Sequence, residues 1–315
     1  MTLARRRLGA TDLELSPIGL GCGRLEPGAA AQRVANAVVD AALRGGVTWF
    51  DAPGMDGRGA PERALAAALR RLRVSTGQVT IADTWARPMR SARAIGAGLD
   101  ELRAALDPYP VDLFQFGAPF GPPTIRAAMR VAARMVREGR IRAIGVSNFS
   151  AREMERAHAH LASEGVALAS NQVPCSLLDR RIETDGVLLA ARRLGVSLLA
   201  HTPLAGGILT GKFHDNPDLV RRLDARRRGR VGFGGRSLAR SRPLVAELAV
   251  IALSYGVSPA QVALNWLVQW YGNAVLAVPG ASRPGQASRN AETMGFALKR
   301  RELARLDELS RKVRG

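Results

Sequence analysis

Lysine is almost missing from this chain. Only Lys212, Lys299 and Lys312 occur, so nearly all of the 46 basic groups are arginines. Tyrosine is equally scarce, with Tyr109, Tyr255 and Tyr271 alone. Cysteine is limited to Cys22 and Cys175, which is too few for a disulfide framework and lacks metal-ligand spacing. No stretch approaches the ~20 apolar residues of a membrane span. The first twenty residues carry arginines but no unbroken apolar run, so no signal peptide is expected. These absences exclude a disulfide-stapled secreted fold and a membrane-inserted one. A cytoplasmic protein with no membrane partner is the expectation that remains.

What is present is ordinary for a globular chain: 47% apolar and 23% charged residues over 315 positions. The net charge of +19 is less ordinary, but an Ala/Arg/Gly-rich, Lys-poor composition reads first as genomic bias. Residues 221–242 concentrate the surplus, with nine arginines against Asp224. Gly229, Gly232, Gly234 and Gly235 make this stretch read as a loop. Its readings are a grip on phosphate or a solvated surface segment. Phe233 is its one aromatic. Single-strand nucleic-acid binders interleave several stacking rings with their basic groups, so nucleic acid is not an expected partner. A small-molecule substrate is expected, and the oligomeric state stays open.

Short apolar runs fall at residues 18–21, 47–50, 79–82, 111–116, 141–146, 167–172, 196–200 and 274–278. Between them, apolar residues at i, i+3, i+4 spacing mark helices at 31–43, 61–72, 92–106, 124–137, 151–161, 184–194, 243–255, 259–270 and 302–312. Length alone suggests about two domains. Eight strand–helix alternations instead predict an α/β fold, a single (β/α)8 TIM barrel spanning 1–315 with an Arg-rich loop at 214–242. In such a barrel the chemistry sits at the C-terminal ends of the strands.

Read in that order, the motifs resemble the aldo-keto reductases over nearly the whole chain. They are RRLG at 6–9 with SPIGLG at 16–21, then 47–51 followed by Gly57, Gly59 and Glu62. GRIRAIGVSNF at 139–149 is the most specific. NQ at 171–172, PLAGGILTGK at 203–212 and VPGA at 278–281 complete the set. The resemblance implies hydride transfer between NADP(H) and a carbonyl, with a tyrosine acid tuned by a lysine and a histidine, and an aspartate paired to the lysine. Asp51 matches the aspartate. The tyrosine position is Asp56, the lysine position Thr84 and the histidine position Gly117. Three of the four are therefore changed, and the few tyrosines and lysines elsewhere supply no substitute. Candidate acid–base groups are Asp51, Asp56 and His201. Two carboxylates sharing a partly apolar pocket raise one pKa toward neutrality; Asp83 lies close in sequence.

The resemblance also assigns Ser147, Asn148 and Gln172 to the nicotinamide carboxamide, and His201 to the ring-stacking position. Pro203, Leu204 and Gly207 belong to the loop along the cofactor. Ser282, Arg283, Gln286, Arg289 and Asn290 fall where the adenosine 2′-phosphate and adenine are held, with the following helix offering its N-terminus. Arg289 stands where the family has a glutamate. His158, His160 and His214 read as surface residues, and Cys175 as a packing residue. Three functional readings follow. One is an NADP(H)-dependent oxidoreductase with a non-standard proton donor. The second is a non-redox acid–base enzyme, a dehydratase, epimerase or cyclase. The third is a catalytically silent cofactor-binding sensor.

Overall fold

The structure, a computed structural model, describes residues 3–52, 59–85, 92–117, 124–223 and 233–314. It opens on a small antiparallel hairpin, β1 (Arg6–Arg7) and β2 (Glu14–Leu15). Eight strands then pair in parallel in chain order: β3 (Leu20–Gly21), β4 (Trp49–Ala52), β5 (Thr80–Trp85), β6 (Leu113–Phe116), β7 (Ala143–Ser147), β8 (Leu168–Pro174), β9 (Ser197–His201) and β10 (Val275–Ala277). Each lies on a run predicted from sequence. The sheet curls until its ends meet: Ala277 N–H donates to the Pro17 carbonyl at 2.9 Å and Gly19 N–H to the Ala277 carbonyl at 2.8 Å. The barrel is closed, and no edge strand of this sheet is left open.

The outer layer is α1 (Ala29–Arg44), α2 (Ala60–Arg71), α3 (Ala92–Leu106), α4 (Ile125–Arg137), α5 (Ala151–Ala162) and α6 (Val187–Leu194). It continues with α7 (Lys212–Asp215), α8 (Asp218–Arg221), α9 (Gly235–Tyr255), α10 (Pro259–Trp270), α11 (Pro284–Glu292) and α12 (Arg300–Arg314). Their starts follow local chemistry. Ser150 with Glu153 and Ser258 with Gln261 form reciprocal capping boxes at α5 and α10, each satisfying orphan N–H groups. No single described helix is long and apolar enough to cross a membrane.

The stretch read as a loop over 214–242 carries helical turns instead, because α9 begins at Gly235 and runs through Pro243. Sequence reading placed that proline at a helix start. Packing explains the longer helix: Leu238, Ser241 and Leu244 are buried on one face, and Phe233 packs edge-on against Phe213 with centroids 4.9 Å apart. His214, read as a surface residue, is only 7% exposed, and its Nε2 lies 3.0 Å from Ser241 Oγ. It ties α7 to α9. Four arginines of the basic stretch, Arg226, Arg227, Arg228 and Arg230, lie outside the described residues.

The lumen is filled from below. Leu8, Leu13 and Leu15 of the hairpin meet Trp49, Ala82, Leu113, Leu199 and Leu276 in a cluster separate from the sheet–helix core. The N-terminal end of the barrel is thus plugged. Arg6 clamps this floor with a buried guanidinium that donates to the carbonyls of Val268, Gly272 and Val275 at 2.8, 2.7 and 2.6 Å. Burial lowers its pKa to about 10. The opposite, C-terminal end is the mouth.

Candidate active site

Side chains alternate along each strand, so residues two apart share a face. On β4, Trp49 fills the floor and Asp51 stands one layer above it. On β5 the same step leads from Ala82 to Thr84, and on β6 from Leu113 to Gln115. These polar side chains join across the lumen. Gln172 Nε2 donates to Asp51 Oδ2 at 2.8 Å and Gln115 Nε2 to Asp51 Oδ1 at 3.3 Å. Gln115 Nε2 also donates to Thr84 Oγ at 3.0 Å, and Thr84 Oγ lies 3.5 Å from Gln172 Oε1. Asp51, Gln115, Thr84 and Gln172 form a closed ring, with Ser170 Oγ 3.4 Å from Gln115 Oε1 outside it.

Two backbone features make the ring fit. The β7–β8 register shifts between Ile144 and Gly145, which pair with Leu168 and Ser170. Ala169 is the extra residue, so Ala169 packs in the floor while Ser170 and Gln172 still point into the polar layer. Gly145 leaves the space that Gln115 crosses. A Cβ there would sit 2.3 Å from Ser170 Oγ and 2.9 Å from Gln115 Cγ, both buried.

Asp51 is 8% exposed, and burial pushes its carboxyl up to about 7 against the opposing pull of the Gln172 and Gln115 amides. The expected partner carboxylate, Asp56, lies outside the described residues. Among the described residues, removal from water dominates, and not repulsion from a second carboxylate in the same pocket. Asp83 sits on the other face of β5, between sheet and helix layer, with Glu62 of α2 and Cys22 nearby. It is fully buried, and neither oxygen makes a hydrogen bond of normal geometry among the described residues. Burial, then Glu62 and Asp51, raise its carboxyl well above the usual range, with only the Thr84 N–H opposing. A carboxyl raised in the folded state binds more protons there than when unfolded. Stability is then greatest in acid and declines as pH rises. Asp83→Asn should therefore raise the melting temperature at pH 8 more than at pH 5; an equal change at both would show that Asp83 is ionised in the fold.

At the rim, His201 ends β9. Its Nε2 lies 3.1 Å from Asn148 Oδ1 and its Nδ1 3.0 Å from Thr202 Oγ. Asn148 Nδ2 in turn donates to Ser147 Oγ at 3.3 Å. Asn148 and Thr202 hold positive φ of 59° and 56°, which non-glycine residues adopt rarely and mostly at sites where surrounding structure over-determines them. The rim and the ring meet through the backbone, where Asn148 N–H donates to the Gln172 carbonyl at 2.8 Å. The bonds from His201 to Asn148 and Thr202 thus run along the rim, and those of Asp51 to Gln115 and Gln172 within the ring. Thr84 lies in the ring, and Gly117 closes the end of β6 with its N–H on the Trp85 carbonyl at 3.0 Å. Asp56 lies outside the described residues.

After β9 the chain passes Pro203 and Leu204 into a tight turn, Ala205–Thr210, in which Gly206 and Gly207 take φ of 67° and 103°. A Cβ on Gly207 would lie 3.4 Å from Lys212 Cε and 3.6 Å from its ammonium nitrogen. The bare backbone beside a cation suits a phosphate oxygen. Lys212 was visible in the motif at 203–212, but nothing in sequence tied it to Gly207. Beyond β10, Ser282, Arg283 and Gln286 stand exposed at the start of α11; Gln286 Oε1 accepts from Ser282 N–H at 2.9 Å and Oγ at 3.1 Å. That side chain is therefore engaged in its own loop. Arg289 is exposed on the same helix and Asn290 is buried.

The fold is matched by known proteins. The model of the aldo/keto reductase family matches residues 17–311, and the chain belongs to that family. It is 32% identical to an uncharacterized oxidoreductase of Mycobacterium tuberculosis over 310 residues, 96% of this chain and 91% of that one. It is 27% identical to the chloroplastic pyridoxal reductase of Arabidopsis thaliana, covering 84% and 73%. Among solved structures, the glycerol dehydrogenase AKR11B4 of Gluconobacter oxydans superposes with a TM-score of 0.82 at 25% identity, covering 98% and 95%. An aldo-keto reductase of Klebsiella pneumoniae in complex with NADPH gives 0.77 at 24%, with the same coverage, and supports the fold.

Proposed function

We propose that this chain is a cytoplasmic NADP(H)-dependent oxidoreductase acting on a specialised small-molecule substrate, with Asp51 in place of a tyrosine as the proton-holding group. The observation that carries this reading is the ring around Asp51: a buried carboxyl near 7, held on both oxygens by amides. A general acid works best with a pKa close to the working pH. Thr84 and Gly117 stand where the resemblance puts the lysine and the histidine, so the proton has to come from another group.

The residues present fit the cofactor. Ser147 and Asn148 offer a hydroxyl and an amide at the rim, and the Gly206–Gly207 backbone with Lys212 suits the pyrophosphate. Ser282, Arg283 and the start of α11 suit the 2′-phosphate, with Arg289 adding charge. When bound, NADPH supplies the hydride. Asp51 keeps the proton beside the acceptor, and the ring of amides holds its carboxyl in one orientation. His201 would cover the cofactor ring at the rim; Asp56 remains a candidate second acid.

Titrating the protein with NADPH should change the cofactor fluorescence with saturation below millimolar concentration. No binding at millimolar NADPH would remove this reading and favour non-redox acid–base chemistry at Asp51.

A further inference from the structure

The ring at the base of the mouth contains a single ionisable group. Asp51 accepts one amide N–H on each oxygen, at 3.3 and 2.8 Å. A carboxylate has about four acceptor positions, so two stay available. Asp51, Thr84 and Gln172 are 8%, 6% and 6% exposed, so the ring lies in a largely dry layer above the floor. Each neighbour in the ring is a neutral amide or hydroxyl, and among the described residues no cation bonded to the ring balances a charge on Asp51.

This arrangement suits one kind of hydride acceptor better than another. Adding hydride to C=O builds negative charge on oxygen, and an ionised carboxylate beside it repels that charge. A C=N nitrogen is instead basic near neutrality, close to a carboxyl held near 7, and proton transfer is most effective between matched groups. Once protonated, the substrate is a cation that the carboxylate attracts in a partly dry site.

We propose that the mouth selects an imine, which takes the proton of Asp51 and is held as an iminium–carboxylate pair above the Gln115–Thr84–Gln172 ring. The proposal rests on the hydride-transfer reading above and names its substrate class. The balance is simple. The Asp51 O–H bond breaks and an N–H bond forms. The hydride, of reduced-nicotinamide origin, ends on carbon while the C=N π pair moves to nitrogen. The product is an amine, the nicotinamide leaves oxidised, and Asp51 regains its proton from water.

Other ionisable groups lie near this carboxyl. Cys22, just after β3, and Asp83, on the outer face of β5, feel its charge, and burial is the main cause that raises both above their usual ranges. Glu62 of α2 faces Asp83 and Cys22, and His201 stands at the rim. Gln115 and Gln172 do not titrate.

The test uses a shape-matched pair, a stable cyclic amidinium and the lactam of the same ring size, in calorimetry on the cofactor-free full chain. One unit above Asp51's value of about 7, the amidinium should bind at least about tenfold more tightly than the lactam, the equivalent of one pKa unit. The preference should shrink one unit below it and vanish in Asp51→Asn. Equal or tighter lactam binding, or a preference independent of pH in the wild type, overturns the proposal without relying on the variant's folding. A second arm follows NADPH oxidation with a cyclic imine and the matching cyclic ketone. Faster turnover of the ketone also overturns it. Absence of NADPH binding alongside amidinium selectivity would sink the hydride-transfer reading and leave the cation-selective site standing.

Discussion

Asp51→Asn should lower turnover of the best substrate by about 100- to 10,000-fold, the range associated with loss of a placed acid. Asparagine keeps the volume and can still accept from one ring amide, so the floor stays filled while the transferable proton is gone. The pH dependence gives a second readout. With Asp51 as the acid, activity declines as pH rises through about 7, because the protonated form is consumed. That limb should be absent from the residual activity of the variant. Stability falls in the same direction. The folded carboxyl titrates near 7 and the unfolded one near the ordinary 3.8, so wild-type stability is fully present in acid and falls between those values. The variant should lack this fall and melt higher than wild type at pH 8. Unchanged turnover would take Asp51 out of the mechanism.

Arg180→Met should cost about 3 kcal/mol of stability, the lower end for breaking a buried ion pair by removing one partner. Arg180 is 1% exposed. Its Nη2 lies 2.6 Å from both Glu183 Oε1 and Asp307 Oδ1, and its guanidinium sits 5.0 Å over the Trp266 ring. Tyr271 donates to the same Glu183 oxygen at 2.7 Å. One side chain thus joins the segment after β8 to α10 and α12. The lower end applies because Glu183 and Asp307 keep 17% and 20% of their side chains in water, and methionine refills part of the apolar volume. Denaturant unfolding should show an earlier midpoint at unchanged slope, with NADPH affinity unaffected. A midpoint within error of wild type would mean that the wet partners absorb the loss.

The strands were legible because a parallel sheet covered on both faces demands short, uninterrupted apolar runs, and α3 and α10 match their periodicity from end to end. The start of α9 was not. A proline after an arginine- and glycine-rich stretch carries the local signature of a helix start, while the burial of Leu238 and Ser241 that extends the helix is a tertiary fact. Within the site, Asp51 and Gln172 could be named from sequence because each belongs to a recognisable segment. Gln115 could not: a glutamine in an apolar strand gives no sign of which face it takes or what it reaches. Its partner across the lumen depends on the bulge at Ala169 and on the missing side chain of Gly145, and a register shift leaves no mark in composition or spacing. The position that the resemblance gives to lysine is Thr84, and amides surround the carboxylate there.

The seam between Pro17–Gly21 and Ala277–Gly280, reinforced by Arg6 on the carbonyls of Val268, Gly272 and Val275, sets the order in which this molecule comes to exist. The first strand emerges from the ribosome some 260 residues ahead of the segment that completes its hydrogen bonding. Until that segment arrives, the growing sheet has an open edge and a floor without its clamp. Such long-range closure is entropically slow. Before then the sheet cannot close, and chaperone capture and aggregation compete with folding for as long as it stays open.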